Sequence, residues 1–154
     1  MGLRKNRIAA LLLLFLFATL AGCATAPAPA YEDRDQPVSA ADVEILDKAI
    51  ALLASDSDWN RKDTRDCPPG ARTLSLFCAL HEASIEVLGS YDHRRVALQE
   101  VRFAIEEVSG GRDFEHRLMD FNNLQETDFA DISKVLTLAR TKVAARLANE
   151  AHGG

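Results

Sequence analysis

Apolar residues recur at intervals of three and four along most of the chain, and this spacing restricts the fold to helices. The first such stretch begins at Ser39, which can cap a helix together with Asp42, and it ends near Ser55. Its apolar stripe consists of Val43, Leu46, Ile50 and Leu53. No stretch shows the alternation of apolar and polar residues that a strand requires. The pattern therefore predicts an all-α fold.

The second predicted helix starts from a cap at Thr73, continues to Leu88 and is ended by Gly89. Apolar residues cover so much of its circumference that we expect it to be the central, most buried helix. One face carries Leu74, Phe77, Cys78, His81, Ile85 and Leu88. A second set widens the apolar surface: Leu76, Leu80, Ala83 and Val87.

Two further helices complete the prediction. The third covers about residues 92–108 and is stopped by Gly110-Gly111; its inward residues are Ala97, Val101, Ala104 or Ile105, and Val108. Residues 112–126 read as a packed loop with one helical turn. Thr127 caps the last helix, which continues through Ala148 with the stripe Phe129, Ile132, Leu136, Ala139, Val143 and Leu147. About four main helices over residues 39–150 predict a single domain, a compact bundle or a less regular array.

The beginning of the chain has a different composition. Arg4, Lys5 and Arg7 precede an uncharged run of 13 residues from Ile8 to Leu20. This is the layout of a secretory signal peptide, and the run is shorter than the roughly 20 residues that a membrane-spanning helix needs. We therefore predict that residues 1–22 are a signal peptide rather than a membrane anchor.

The run closes with Leu20-Ala21-Gly22-Cys23, and these four residues resemble the lipobox of bacterial lipoproteins. In that family the peptide is cut before the cysteine, which carries fatty acyl chains such as palmitate. The resemblance implies lipidation of Cys23 and attachment to a membrane. Ala24 after the cysteine, rather than Asp, implies the periplasmic face of the outer membrane in a Gram-negative cell. Residues 23–38 begin with alternating Ala and Pro and predict a flexible tether.

Charge excludes one class of partner. Without its first 22 residues the chain would have 132, and 15 Lys and Arg would face 23 Asp and Glu, a net charge of −8 against −5 for the whole sequence. A domain this acidic is not expected to bind nucleic acid.

Cys67 and Cys78 are the only thiols left if Cys23 is lipidated. An even pair in an exported protein predicts a disulfide, and Pro68-Pro69-Gly70 between them can turn the chain back. The alternative is that Cys78 is a small buried apolar residue on a helix face.

Catalytic and metal motifs are weak. His81-Glu82 begins like a zinc-protease helix, but Ile85 stands where the second histidine is needed, and the other histidines have no ligand spacing. A Cys78–His81 nucleophile would be removed by a disulfide to Cys67. We therefore predict no catalytic residue, no metal and no cofactor. Carboxylates on helix faces leave an envelope hydrolase acting on peptidoglycan as an alternative; the candidates are Glu82, Glu86, Glu106 and Glu107.

Two basic segments beside an aromatic residue, 58–62 and 91–95, are the densest positive spots in this negative chain. Such a surface could bind a carboxylate or phosphate of a glycan or protein partner. The alternative is structural: the arginines pair with nearby acids and the tryptophan covers the edge of the bundle. The candidate binding patch consists of Trp59, Arg61, Tyr91, His93, Arg94 and Arg95.

An order of short signals runs along about residues 40–145. In chain order these are Trp59, Phe77-Cys78-Ala79-Leu80 with Ala83, Phe121-Asn122, Thr127, Asp131, Val135-Leu136 and Ala139. Together they resemble a family of small, uncharacterised helical domains of bacteria. Asn123 stands where that family usually has Asp, and the cysteine helix lacks the usual glycine. The resemblance implies an all-helical fold and no activity.

These observations predict a non-enzymatic lipoprotein of the cell envelope. Its helical domain would bind or scaffold a periplasmic protein or a cell-wall glycan. The alternatives are the envelope hydrolase and an inhibitor or immunity-type lipoprotein that binds an enzyme.

Overall fold

The computed structural model describes residues 34–153. The predicted signal peptide, the lipobox with Cys23 and most of the predicted tether lie outside these described residues. Five α-helices follow one another: α1 (Ala40–Leu52), α2 (Leu76–Leu88), α3 (Val96–Val108), α4 (Arg117–Asn123) and α5 (Phe129–Gly153). One 3-10 turn covers Asp56–Asp58. The all-α prediction is confirmed. Between residues 34 and 153 no helix has both the length and the hydrophobicity needed to cross a membrane.

One hydrophobic core joins the helices. α3 packs along α5, α1 packs against α2, α3 and α5, and the short α4 closes the end between α2 and α3. The stripes predicted for α1, α3 and α5 lie largely in this core. Among its fully buried members are Leu46, Val101, Ile105, Ile132, Leu136 and Val143.

Some helices start at other residues than predicted, because local hydrogen bonds stabilise a turn or a different cap at those positions. α2 begins after Ser75, whose hydroxyl accepts the Cys78 N–H at 3.1 Å, and not at Thr73. Leu74 instead forms an isolated parallel bridge with Trp59; its N–H donates to the Asp58 carbonyl at 2.8 Å.

Two other helices also start later than predicted. Residues 92–95 form a turn, in which the Arg95 N–H donates to the Asp92 carbonyl, so α3 starts at Val96. α5 is capped by Asp128 rather than Thr127: the Asp131 N–H donates to Asp128 Oδ1 at 3.0 Å. It also ends at Gly153 and not near Ala148. The segment predicted as a loop with one turn contains α4, a helix of 7 residues.

The predicted inward face of α2 is wrong in part. Ile85 and Leu88, which were predicted to face inward, are 42% and 38% exposed. The core instead contains Leu76, Leu80 and Ala83, which were predicted only to widen the apolar surface. The buried apolar residues of α2 are Leu76, Cys78, Ala79, Leu80 and Ala83. α2 is also not the most buried helix. α3 is, with 9 buried residues of 13, since it lies against α1, α4 and α5 together.

The predicted pairing of Cys67 with Cys78 is confirmed as a pair at disulfide distance. The two sulfur atoms lie 2.08 Å apart and the Cα atoms 5.4 Å apart. The bridge ties the long segment between the 3-10 turn and α2 to the first turn of α2. Cys78 is buried as well, so the bridge lies at the edge of the core.

We expect the double variant Cys67→Ala, Cys78→Ala to unfold with a free energy about 3 kcal/mol lower than wild type, on the chain-entropy model of loop closure. The measurement is urea unfolding followed by circular dichroism. Reducing the wild-type protein should produce the same loss, which serves as the control. Two titratable thiols in the unreduced, denatured protein, besides Cys23, would contradict the bridge.

Candidate functional site

An aromatic cluster forms where α2 faces the segment before α3. Phe77 and His81 project from one side of α2, and Tyr91 packs against both. The ring centroids of Phe77 and Tyr91 lie 5.8 Å apart, and those of His81 and Tyr91 lie 5.0 Å apart. All three side chains are half-buried. The half-buried face of α2 therefore carries aromatic rings at the protein surface.

Beside these rings lies an open cleft of about 360 Å³, which we call the cationic cleft. Its walls come from α2, α3, α4 and the connecting segments. Three aromatic rings line it: Phe77, Tyr91 and Phe114. Its titratable lining, apart from Tyr91, consists of Arg65, His93, Arg102, Glu115, His116 and Arg117.

Arg102 on α3 organises one wall. Its Nη1 donates to the His93 carbonyl at 2.8 Å, and its positive charge acts on the Tyr91 hydroxyl. Burial raises the pKa of Tyr91 above its usual value, although the positive charges of Arg102 and Arg65 act in the opposite direction. The phenol therefore stays protonated at neutral pH and keeps an O–H that can donate a hydrogen bond.

Arg65 comes from the segment before α2, and it is the only non-glycine residue with a positive φ among those described, at 63°. Its N–H donates to Asp63 Oδ1 at 2.7 Å. The Asn123 side chain makes two hydrogen bonds to the Asp63 backbone. The Asp63 N–H donates to Asn123 Oδ1 at 2.7 Å, and Asn123 Nδ2 donates to the Asp63 carbonyl at 2.8 Å. The Arg65 guanidinium lies 5.9 Å from the Phe77 ring centroid.

Of the predicted binding patch, Tyr91 and His93 line the cationic cleft, whereas the tryptophan segment does not. Trp59 is only 5% exposed, and its Nε1 donates to Asn122 Oδ1 at 2.7 Å. Arg61 lies over the Trp59 ring at 5.1 Å and donates to the Thr127 carbonyl at 2.8 Å. Trp59 thus joins the α1–α2 connection to α4, and Arg61 joins it to the residue pair before α5.

The two arginines before α3 have different surroundings from each other. Arg95 pairs with the buried Asp42, 3.0 Å from Nε to Oδ1, and donates to the Ser39 hydroxyl at 2.6 Å. Arg95 therefore pairs with an acid, as the structural alternative predicted, and that acid comes from α1. Arg94 is exposed and lies outside the lining of the cleft. The predicted patch is therefore not one continuous surface.

Apart from Tyr91 and His93, sequence reasoning did not assign the lining of the cleft to the binding patch; among the residues missed are Arg65, Arg102, Phe114 and Arg117. No spacing connects these four, since they come from two connections and two helices and meet only after folding. The positive φ of Arg65 follows an Asp two residues earlier, but Asp-x-Arg is too common to single out a site.

The carboxylates proposed for hydrolysis are exposed, and three of the four form surface ion pairs. Glu86 pairs with Lys48, Glu107 with Lys142 at 2.5 Å, and Glu106 with Arg34 at 3.7 Å and Arg117 at 3.8 Å. Throughout residues 34–153, no three His, Cys, Asp or Glu side chains come together as a metal site.

One family model, described as a family of unknown function (DUF6197), matches residues 37–142. The match spans all five helices, α5 up to Lys142. No curated protein and no solved structure matches the chain. The comparisons therefore leave the activity to be argued from the geometry of the cleft.

Proposed function

Since the chain belongs to DUF6197, a family of unknown function, we propose its function from the cationic cleft: a non-enzymatic module that binds an anionic group of a periplasmic protein or cell-wall glycan. The observation that carries this proposal is the concentration of positive charge. Three arginines and two histidines line the cleft, and Glu115 is the one acid among the lining residues. Arginine presents paired N–H donors that match carboxylate and phosphate oxygens.

The contrast with the rest of the surface supports the proposal. The whole sequence has 23 acidic and 18 basic residues, whereas the lining of the cleft has three arginines and one glutamate. Local positive potential in an acidic protein attracts anions at one place and repels them elsewhere. The cleft is therefore the part of the described surface best suited to an anionic partner.

We place the module in the cell envelope. The lipobox resemblance at Cys23 supports a lipid anchor, and the sorting pattern with Ala24 supports the periplasmic face of the outer membrane. Two or more acyl chains would hold the protein stably, because one alone binds only marginally. The folded domain begins near Gln36, whose carbonyl accepts a hydrogen bond from Arg146 Nη2 at 2.5 Å. About a dozen residues after Cys23 would then be left as the spacer.

The test is crosslinking in intact cells, followed by purification of the full-length protein and mass spectrometry. We expect acyl groups on Cys23 and one near-stoichiometric envelope partner. The charge reversal Arg65→Glu should reduce the crosslinked partner at least about tenfold, because a hydrogen bond to a charged group contributes about 1.5–3 kcal/mol.

Arg140→Glu is the matched control, since it makes the same charge change at an exposed arginine outside the cleft, paired with Asp47. That variant should keep the partner. Equal loss in both variants, or recovery of the wild-type protein alone, would contradict binding at the cleft. A cell-wall enzyme as the partner would identify the inhibitor-type form of the same binding function.

A further inference from the structure

We infer that the group bound in the cationic cleft is a doubly charged anion, such as a phosphate monoester, on a flat ring. This inference rests on the proposed binding function and narrows it to one class of ligand. It is drawn from the size of the cleft, its charge and the two kinds of side chain that line it.

Size limits the occupant. A cleft of about 360 Å³ falls at the lower end of the roughly 300–1,000 Å³ found for small-molecule sites. A stable protein–protein interface needs about 800 Å² from each partner, which one cleft of this size does not supply. It has room for a ring with its charged substituent, presented alone or at the end of a larger molecule.

Charge selects the anionic group. With the histidines neutral, three arginines and one glutamate give the lining a net charge of +2. Glu106 lies outside the lining, 3.8 Å from Arg117, and offsets part of this positive charge. A phosphate monoester carries about −1.5 to −2 at pH 7, twice the charge of a carboxylate. It therefore matches this lining better than a monoanion does.

The aromatic residues select the remainder of the ligand. Phe77, Tyr91 and Phe114 belong to three different segments, yet all line the same cleft. Aromatic faces favour offset or edge contacts with another ring. The protonated Tyr91 hydroxyl adds a neutral donor beside the guanidinium groups. A bare inorganic anion would leave these apolar walls unused.

The backbone of Arg65 is preorganised, because its neighbours fix its conformation before any ligand binds. A left-handed backbone is unfavourable for arginine, and such residues persist where their surroundings fix them and cluster at ligand sites. Here Asp63 and Asn123 fix the backbone on one side. The bridge from Cys67 to Cys78 fixes it on the other, directly beside Phe77. Arg65 is thus kept over the ring of Phe77 at the cleft.

The inference is tested by calorimetric titration of the full-length protein in detergent micelles. The probes are phenyl phosphate, inorganic phosphate and benzoate, at one pH and one ionic strength. We expect phenyl phosphate to bind at least about tenfold more tightly than either of the others, because only it combines an aromatic ring with a second negative charge. Arg65→Gln should weaken phenyl phosphate about tenfold and Arg140→Gln should not.

Two results would overturn the ligand class and leave the binding function intact. Equal affinity for phenyl phosphate and inorganic phosphate would show that the aromatic walls contribute nothing. Benzoate binding as tightly as phenyl phosphate would show that the second charge is irrelevant. No binding of any probe, while the cellular crosslink still depends on Arg65, would overturn this inference. Equal weakening by Arg65→Gln and Arg140→Gln would place the probe outside the cleft.

Discussion

Replacing Asp42 with alanine is expected to lower the free energy of unfolding by about 3–5 kcal/mol, the usual cost of breaking a buried ion pair from one side. Asp42 is 1% exposed and, besides Arg95, has three hydrogen-bond donors. These are the Ser39 N–H at 2.8 Å, the Ser39 hydroxyl at 2.7 Å and the Ala97 N–H at 3.2 Å. Its ion pair with Arg95 joins the starts of α1 and α3.

The loss follows from what remains after the substitution. Arg95 would keep a half-buried guanidinium without its carboxylate, and the Ala97 N–H would stay buried without its side-chain acceptor. Chemical unfolding measured by tryptophan fluorescence gives the free energy. Asp47→Ala is the matched control on the same helix: its pair with Arg140 is exposed, so a change within about 1 kcal/mol is expected. Equal effects of the two variants would refute the role of Asp42.

Replacing Asn122 with alanine is expected to cost about 3 kcal/mol, because several buried polar groups lose their partner at once. Asn122 is completely buried on α4. Its Oδ1 accepts the Trp59 Nε1–H at 2.7 Å and the Leu76 N–H at 3.0 Å, while its Nδ2 donates to the Asn60 carbonyl at 3.0 Å. One side-chain amide of α4 thus joins Trp59 and Asn60, in the α1–α2 connection, to the start of α2.

Thermal and urea unfolding measure this loss. The neighbour Asn123 is exposed and makes its bonds to Asp63 near the surface, so Asn123→Ala should cost about 1 kcal/mol. In addition, Asn122→Ala should red-shift the Trp59 emission, because the indole would become more accessible to water. An Asn122→Ala variant as stable as wild type, with unchanged emission, would show that the amide is dispensable.

The Trp59–Asn122 bond joins two of the signals on which the predicted family resemblance depends. The tryptophan in a polar segment and the Phe-Asn pair before the last helix are 63 residues apart, and sequence treats them as separate signals. In the folded domain they are donor and acceptor of one buried hydrogen bond. The side chain of Phe121, the other half of that pair, is in the core as well. These signals therefore mark the joint between two parts of the fold.

The amino-acid sequence alone determined the helical class, most helix spans, the core stripes of α1, α3 and α5, and the cysteine pairing. Each of these depends on short-range spacing or on a count of residues, which local sequence carries. It did not determine which face of α2 is buried, because that helix is apolar on several sides and only its neighbours decide. The first residues of the helices likewise could not be determined, because a turn before a helix competes with the helix for the same residues.

Tertiary structure alone decided the candidate site. Arg65, Arg102 and Arg117 have no common motif and come together only when α2, α3 and α4 pack around one cleft. The same packing put Trp59 in the interior and paired Arg95 with Asp42, so half of the predicted patch became structural. A helix pattern states which residues face inward, but the positions of charges on different helices relative to one another depend on how those helices pack.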